Sequence, residues 1–93
     1  MRYICSCCGY YTLREESDDI CQVCCWQEYI AQKEDPDYIG GPKEDPDYIG
    51  GPNEDVSLNQ ARKNYNTFGA FHKNFINKKR NPFDEELPEN NQN

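Results

Sequence analysis

Two short clusters hold all six cysteines of this 93-residue chain: Cys5-Ser6-Cys7-Cys8-Gly9 and Cys21-Gln22-Val23-Cys24-Cys25. Each contains a Cys-x-x-Cys pair, Cys5/Cys8 and Cys21/Cys24, with twelve residues between Cys8 and Cys21. Four thiolates carried on two tight turns can surround one tetrahedral metal ion, at about 2.3 Å from zinc. Four sulfur ligands leave no open coordination position, so the predicted role of the ion is structural rather than catalytic. Gly9, directly after Cys8, permits the positive φ that such a turn needs. Zinc is the common tetrahedral sulfur-bound ion, with iron the alternative. Cys7 and Cys25 are left over. They fill small apolar spaces beside the metal, form a redox-sensitive pair or a second, weaker metal site, or replace a neighbour as ligand; the x-x spacing present in both clusters favours Cys5, Cys8, Cys21 and Cys24.

The rest of the composition explains why an ion is needed. Mean hydropathy is −1.10, and a chain this small buries only roughly 60–65% of its unfolded surface. Metal bound by the folded state adds its binding free energy to folding. The chain shows no apolar N-terminal run and nothing near the roughly 20 apolar residues of a membrane span, so a reducing cytoplasmic setting is expected, where clustered cysteines bind metal more often than they pair.

The elements expected to position the cysteines are short. Arg2-Tyr3-Ile4 reads as a strand entering the first turn and Tyr10–Leu13 as its return. Residues 33–52 are an exact tandem repeat: Lys-Glu-Asp-Pro-Asp-Tyr-Ile-Gly-Gly-Pro occurs at 33–42 and again at 43–52. Its Asp-Pro and Gly-Gly-Pro segments are turn signals, and a surface loop tolerates such duplication. Its aspartates lack the spacing of an EF-hand calcium loop. Residues 57–80 read as a helical region. Ser57 and Gln60 form a capping-box pattern, Leu58, Ala61, Tyr65 and Phe68 share one face, and Gly69 marks a break. Residues 84–93 read as a disordered acidic tail.

Charge divides the chain. Residues 1–57 carry four basic and thirteen acidic side chains. Residues 58–80 carry Arg62, Lys63, Lys73, Lys78, Lys79 and Arg80 with no acid, inside an overall charge of −7. An acidic body opposes nucleic-acid binding, leaving the basic helix as the one element suited to it. Catalysis has little support: His72 is the only histidine, nothing in the pattern sets it beside a cysteine, and no phosphate-binding loop appears.

Two resemblances follow from these residues. Tyr3-Ile4-Cys5-Ser6-Cys7-Cys8-Gly9-Tyr10 looks like the first iron-binding turn of rubredoxins, which implies an electron carrier; the second cluster fits that pattern less well because Cys25 and Trp26 stand where a glycine is usual. More of the chain, residues 3–83, resembles the small bacterial cysteine-rich CPCC family. The matching segments are Cys5–Leu13, Cys21–Trp26, Asp45–Asn53, Val56–Tyr65 and Phe68-Gly69-Ala70. The resemblance implies a compact domain with a zinc-bound cysteine site. Ser6 and Gln22 stand where that family usually has prolines, Cys25 where it usually has an aromatic residue, and the second repeat copy is an insertion relative to its pattern.

The resulting expectation is a single small α+β domain over residues 1–83: a zinc-ribbon-like cysteine module of short strands (1–32), a repeat-containing loop (33–56) and a C-terminal amphipathic helix (57–80). The helix face Leu58/Tyr65/Phe68 is expected to pack on Trp26 and Tyr10 or Tyr11. The functional expectation is a non-enzymatic, zinc-binding protein-interaction module, an immunity or adaptor protein, whose partner is another protein such as a basic toxin. The predicted contact surface is Asp35, Asp37, Tyr38, Asp45, Asp47 and Tyr48. Nucleic-acid binding through the basic helix and rubredoxin-like iron electron transfer are the alternatives.

Overall fold

Turns rather than ladders organise the N-terminal third. In the computed structural model, residues 2–16, 18–39, 53–54 and 56–90 are described. The two strands expected around the first cysteine turn shrink to one antiparallel bridge between Tyr3 and Leu13, with N···O distances of 2.7 and 3.2 Å. Pairing stops there because neighbouring amides find other acceptors: Tyr11 N–H donates to the Glu86 carbonyl (2.8 Å) and Thr12 N–H to that of Tyr10 (3.0 Å). A second bridge, Ile20–Gln27, frames the second turn.

Helix α1, Ile30–Glu34, occupies the junction between the cysteine module and the loop. The loop expected at 33–56 therefore begins inside a helical turn. Gln32 and Asn53 pin its two ends. Gln32 Nε2 donates to the carbonyls of Tyr38 (2.8 Å) and Val56 (2.9 Å), and its Oε1 accepts from Asn53 Nδ2 (2.8 Å). Asn53 also exchanges hydrogen bonds with both backbone groups of Gln27 (2.7 and 2.8 Å). Both side chains are buried, and a buried amide must be satisfied in this way. The second repeat copy lies outside the described residues.

Helix α2 runs from Leu58 to Phe68. Ser57 caps it, its Oγ accepting from Gln60 N–H at 3.1 Å. The Gln60 side chain bonds Asn64 instead of reaching back (2.9 Å), so only half of the capping box forms. Leu58 and Ala61 are buried, and Tyr65 packs on the same cluster. Gly69 ends the helix in the left-handed region at φ +82, with its N–H on the Tyr65 carbonyl, the usual glycine stop.

The helical region expected to reach residue 80 thus ends at Phe68, followed by one 3-10 turn at Lys73–Phe75. The reason is visible at Phe71. Its N–H donates to Cys24 O (2.9 Å), its carbonyl accepts from Asn64 Nδ2 (2.9 Å), and its ring meets Trp26 edge-on at 5.9 Å. Phe71 is almost fully buried; it belongs to the core cluster with Trp26, Leu58 and Ala61, whereas Phe68 does not. Tyr10 packs on that cluster.

The tail expected to be disordered from residue 84 is docked through residue 90. Asp84–Glu86 and Pro88–Asn90 form 3-10 turns. Glu86 is fully buried, accepting a bidentate pair from Arg80 (2.7 and 2.8 Å) and a bond from Phe83 N–H (2.8 Å). These bonds hold its carboxyl below the ordinary range, Arg80 contributing most. An isolated tail composition gives no hint of this, because the partner is Arg80.

Candidate metal centre

The two cysteine turns are built alike. In the first, Cys5 N–H donates to Tyr10 O (2.9 Å) and Gly9 N–H to Cys5 O (2.9 Å). In the second, Cys21 N–H donates to Trp26 O (2.8 Å) and Cys25 N–H to Cys21 O (2.9 Å). Both need a left-handed residue directly after the second cysteine, supplied by Gly9 at φ +81 and Cys25 at φ +72. Glycine takes that conformation freely; a residue with a Cβ pays about 1–2 kcal/mol.

The turns bring four sulfurs together. Cys5, Cys8, Cys21 and Cys24 have Sγ atoms all within 4.8 Å of one another. The Cys5–Cys24 separation is 3.6 Å and Cys8–Cys21 is 3.7 Å. Ligands about 2.3 Å from a tetrahedral zinc stand about 3.8 Å apart, so the donor set fits such an ion. Cys7 and Cys25 are outside the quartet: Cys7 is buried in the core and Cys25 is half-buried.

The four crowded thiols shift one another's protonation. Hydrogen bonds from Cys24, Cys5 and Cys8 hold the Cys21 thiol far below the usual range. Hydrogen bonding with Cys21 is the largest influence pushing Cys5, Cys8 and Cys24 far above it, with burial acting in the same direction. Thr12 Oγ1 also donates to Cys21 Sγ at 2.9 Å, and Cys24 N–H lies 3.5 Å from the same sulfur. Such outer donors orient thiolates and spread their charge. Metal binding to these thiols releases protons, so affinity falls as pH falls.

A buried carboxylate joins the turns. Glu28 is 1% exposed and follows the second turn; its Oε2 accepts from Ser6 Oγ (2.7 Å) and its Oε1 from Ser6 N–H (3.3 Å) and Trp26 Nε1 (3.2 Å). Ser6 lies between Cys5 and Cys8. A proline there would supply neither donor, so the serine replaces ring rigidity with a cross-link to the second turn. Sequence reasoning missed Glu28; its even spacing from Trp26 within an extended return was the only signal.

The predicted partner surface is only partly in view. Asp35 caps the end of α1. Asp37 Oδ1 accepts from Asn59 Nδ2 (2.9 Å) and Pro36 O from Asn59 N–H (3.0 Å), so Pro36 and Asp37 of the first repeat copy are docked on the start of α2. Tyr38 is half-buried. Asp45, Asp47 and Tyr48 lie outside the described residues. His72 caps the 3-10 turn through Nδ1, which accepts from Asn74 N–H at 3.1 Å. No helix among the described residues is long and apolar enough to cross a membrane.

A family model described as Cysteine-rich CPCC matches residues 3–86. That match extends past the resemblance read from the sequence to include Glu86, the residue that anchors the C-terminal segment. No curated protein matches the chain.

Proposed function

The chain belongs to the cysteine-rich CPCC family, and from that premise we propose that it is a zinc-stabilised, non-enzymatic protein-interaction module of the cytoplasm, acting as an immunity or adaptor protein. The observation that carries the metal half of this reading is the closed quartet of cysteine sulfurs within 4.8 Å. Four protein ligands fill a tetrahedral ion's shell and leave no site for substrate or water. In this reading the paired turns form a zinc-ribbon-like module, and α2, with Leu58 and Ala61 inward and Arg62 and Lys63 outward, is its amphipathic cover.

The interaction half rests on charge. A chain of net charge −7 steers toward a basic partner and away from nucleic acid. Two of the six cations in residues 58–80 have internal work: Arg80 pairs with Glu86 and Arg62 Nε donates to Ser6 O (2.9 Å). That leaves the nucleic-acid alternative with the lysines alone. The acidic first copy, Asp35 with Asp37 and Tyr38, and its twin Asp45, Asp47 and Tyr48 form the proposed contact surface.

Native mass spectrometry of the protein purified gently from its own host tests both halves. One zinc per chain and a stoichiometric second protein are expected. A coloured iron form overturns the zinc assignment in favour of electron transfer, and a zinc form with bound nucleic acid overturns the protein-partner reading.

A further inference from the structure

Beside the second cysteine turn lies a groove of 370 Å³ with Cys21 of the quartet in its wall. Ile20, Cys25, Phe71 and Phe75 supply its apolar walls, and Gln22 and Lys78 are among its polar lining. The two phenylalanine rings stand 4.8 Å apart, centroid to centroid. Ile20 is 48% exposed, a large apolar side chain left in water at the rim. This volume is at the lower end of the range for small-ligand sites and suits one inserted side chain, the way interface anchors are seated.

Charge selects the occupant. Among the described residues, Lys78 is the one basic side chain lining the groove, in a chain of net charge −7. Its Nζ lies 5.4 Å from the centre of the Phe75 ring. Among the described residues, the ion pairs join Arg2 and Arg80 to Glu85 and Glu86, and none involves Lys78. Lys73 and Lys79 are exposed in the same segment. An apolar group therefore meets rings and a positive charge here, in a chain whose net charge is negative.

We propose that this groove is a docking site for a partner-protein segment in which an apolar side chain is flanked by carboxylates. The apolar side chain enters between Ile20, Cys25 and the two phenylalanine rings, and a neighbouring Asp or Glu pairs with Lys78. The inference rests on the interaction-module reading and adds a second surface to it, opposite in charge preference to the acidic repeat.

The test uses the zinc-loaded full chain labelled with 15N and two probe peptides, acetyl-Asp-Phe-Leu-Glu-amide and its charge-inverted twin acetyl-Lys-Phe-Leu-Lys-amide. The acidic peptide is expected to bind at least tenfold more tightly, with amide shifts centred on Ile20, Gln22, Cys25, Phe71 and Lys78. Lys78→Glu should abolish or reverse that preference, and Cys25→Phe, which fills the groove, should remove binding while zinc content stays at one. Should Cys25→Phe lose zinc, Lys78→Glu alone decides, since its side chain is exposed. Equal affinity for both peptides, shifts elsewhere, no binding, or equally tight binding of free 4-phenylbutyrate overturns the proposal. A stoichiometric host partner that binds Lys78→Glu as well as it binds the unaltered chain overturns the groove and leaves the module reading intact.

Discussion

The two cysteine turns share a backbone pattern and differ in how each is secured. The first meets its conformational demand with Gly9 and is tied sideways through Ser6 to Glu28. The second places Cys25 in the left-handed region and is tied through its carbonyls, Val23 O to Arg80 N–H (3.3 Å) and Cys24 O to Phe71 N–H (2.9 Å). One turn is unstrained and held by a side-chain carboxylate; the other is strained and held by the chain that follows α2. The same local geometry can therefore rest on different neighbours, and each difference can be broken separately.

The largest effect should come from the feature the turns share. Cys24→Ser removes one of four ligands, and structural zinc sites carry roughly 10–16 kcal/mol of apparent binding free energy in small domains. Loss of bound metal and of the cooperative thermal transition is expected, read by elemental analysis and calorimetry. Glu28→Ala comes next and acts on the first turn. It leaves Ser6 and Trp26 donors without their acceptor, each worth about 1–3 kcal/mol when buried, so a loss of about 3 kcal/mol is expected in denaturant unfolding, with faster zinc transfer to a chelator. Glu28→Gln should recover part of the loss because the amide oxygen still accepts.

Smaller and opposite effects should separate the left-handed residues. Gly9→Ala should cost about 1–2 kcal/mol, all of it conformational, since a Cβ there meets nothing within 4 Å. Cys25→Gly should gain about 0.5 kcal/mol, the relief of strain exceeding the added freedom of the unfolded chain. Equal signs for the two substitutions would break the comparison. The smallest effect should come from deleting residues 43–52. Gln32 and Asn53 still clamp the loop ends, and loop length enters stability only logarithmically, so stability should change by under about 1 kcal/mol and zinc affinity should not move.

The legible parts of this chain were those encoded by local spacing. The paired Cys-x-x-Cys motifs, the Ser57 cap and the Gly69 break all act within a few residues, so their consequences can be read in order along the sequence. What was hidden depends on distant partners. Glu28 reads as one more acid in an acidic segment until Ser6 is brought to it across 22 residues. Glu86 reads as part of a mobile tail until Arg80 takes both its oxygens and Arg2, at the other end of the chain, reaches the same carboxylate. Phe71 falls within the 57–80 region that reads as helical, yet the Cys24 carbonyl and the Trp26 ring hold it beyond the Gly69 stop. The amide pair Gln32/Asn53 lies on either side of the repeat, and no periodicity connects them. Each of these groups is polar or aromatic, and each is buried only because a partner far along the chain satisfies or packs against it.

One titration tests the central claim, that four cysteines hold a single ion on which the fold depends. The purified chain is treated with increasing chelator while bound zinc, near-ultraviolet circular dichroism and free thiols are followed together. The account predicts one zinc per chain, released in the same step that abolishes the aromatic dichroism, with the four quartet thiols becoming reactive as it leaves. Native dichroism that survives complete metal removal, or quartet thiols that react freely before any chelator is added, would contradict it.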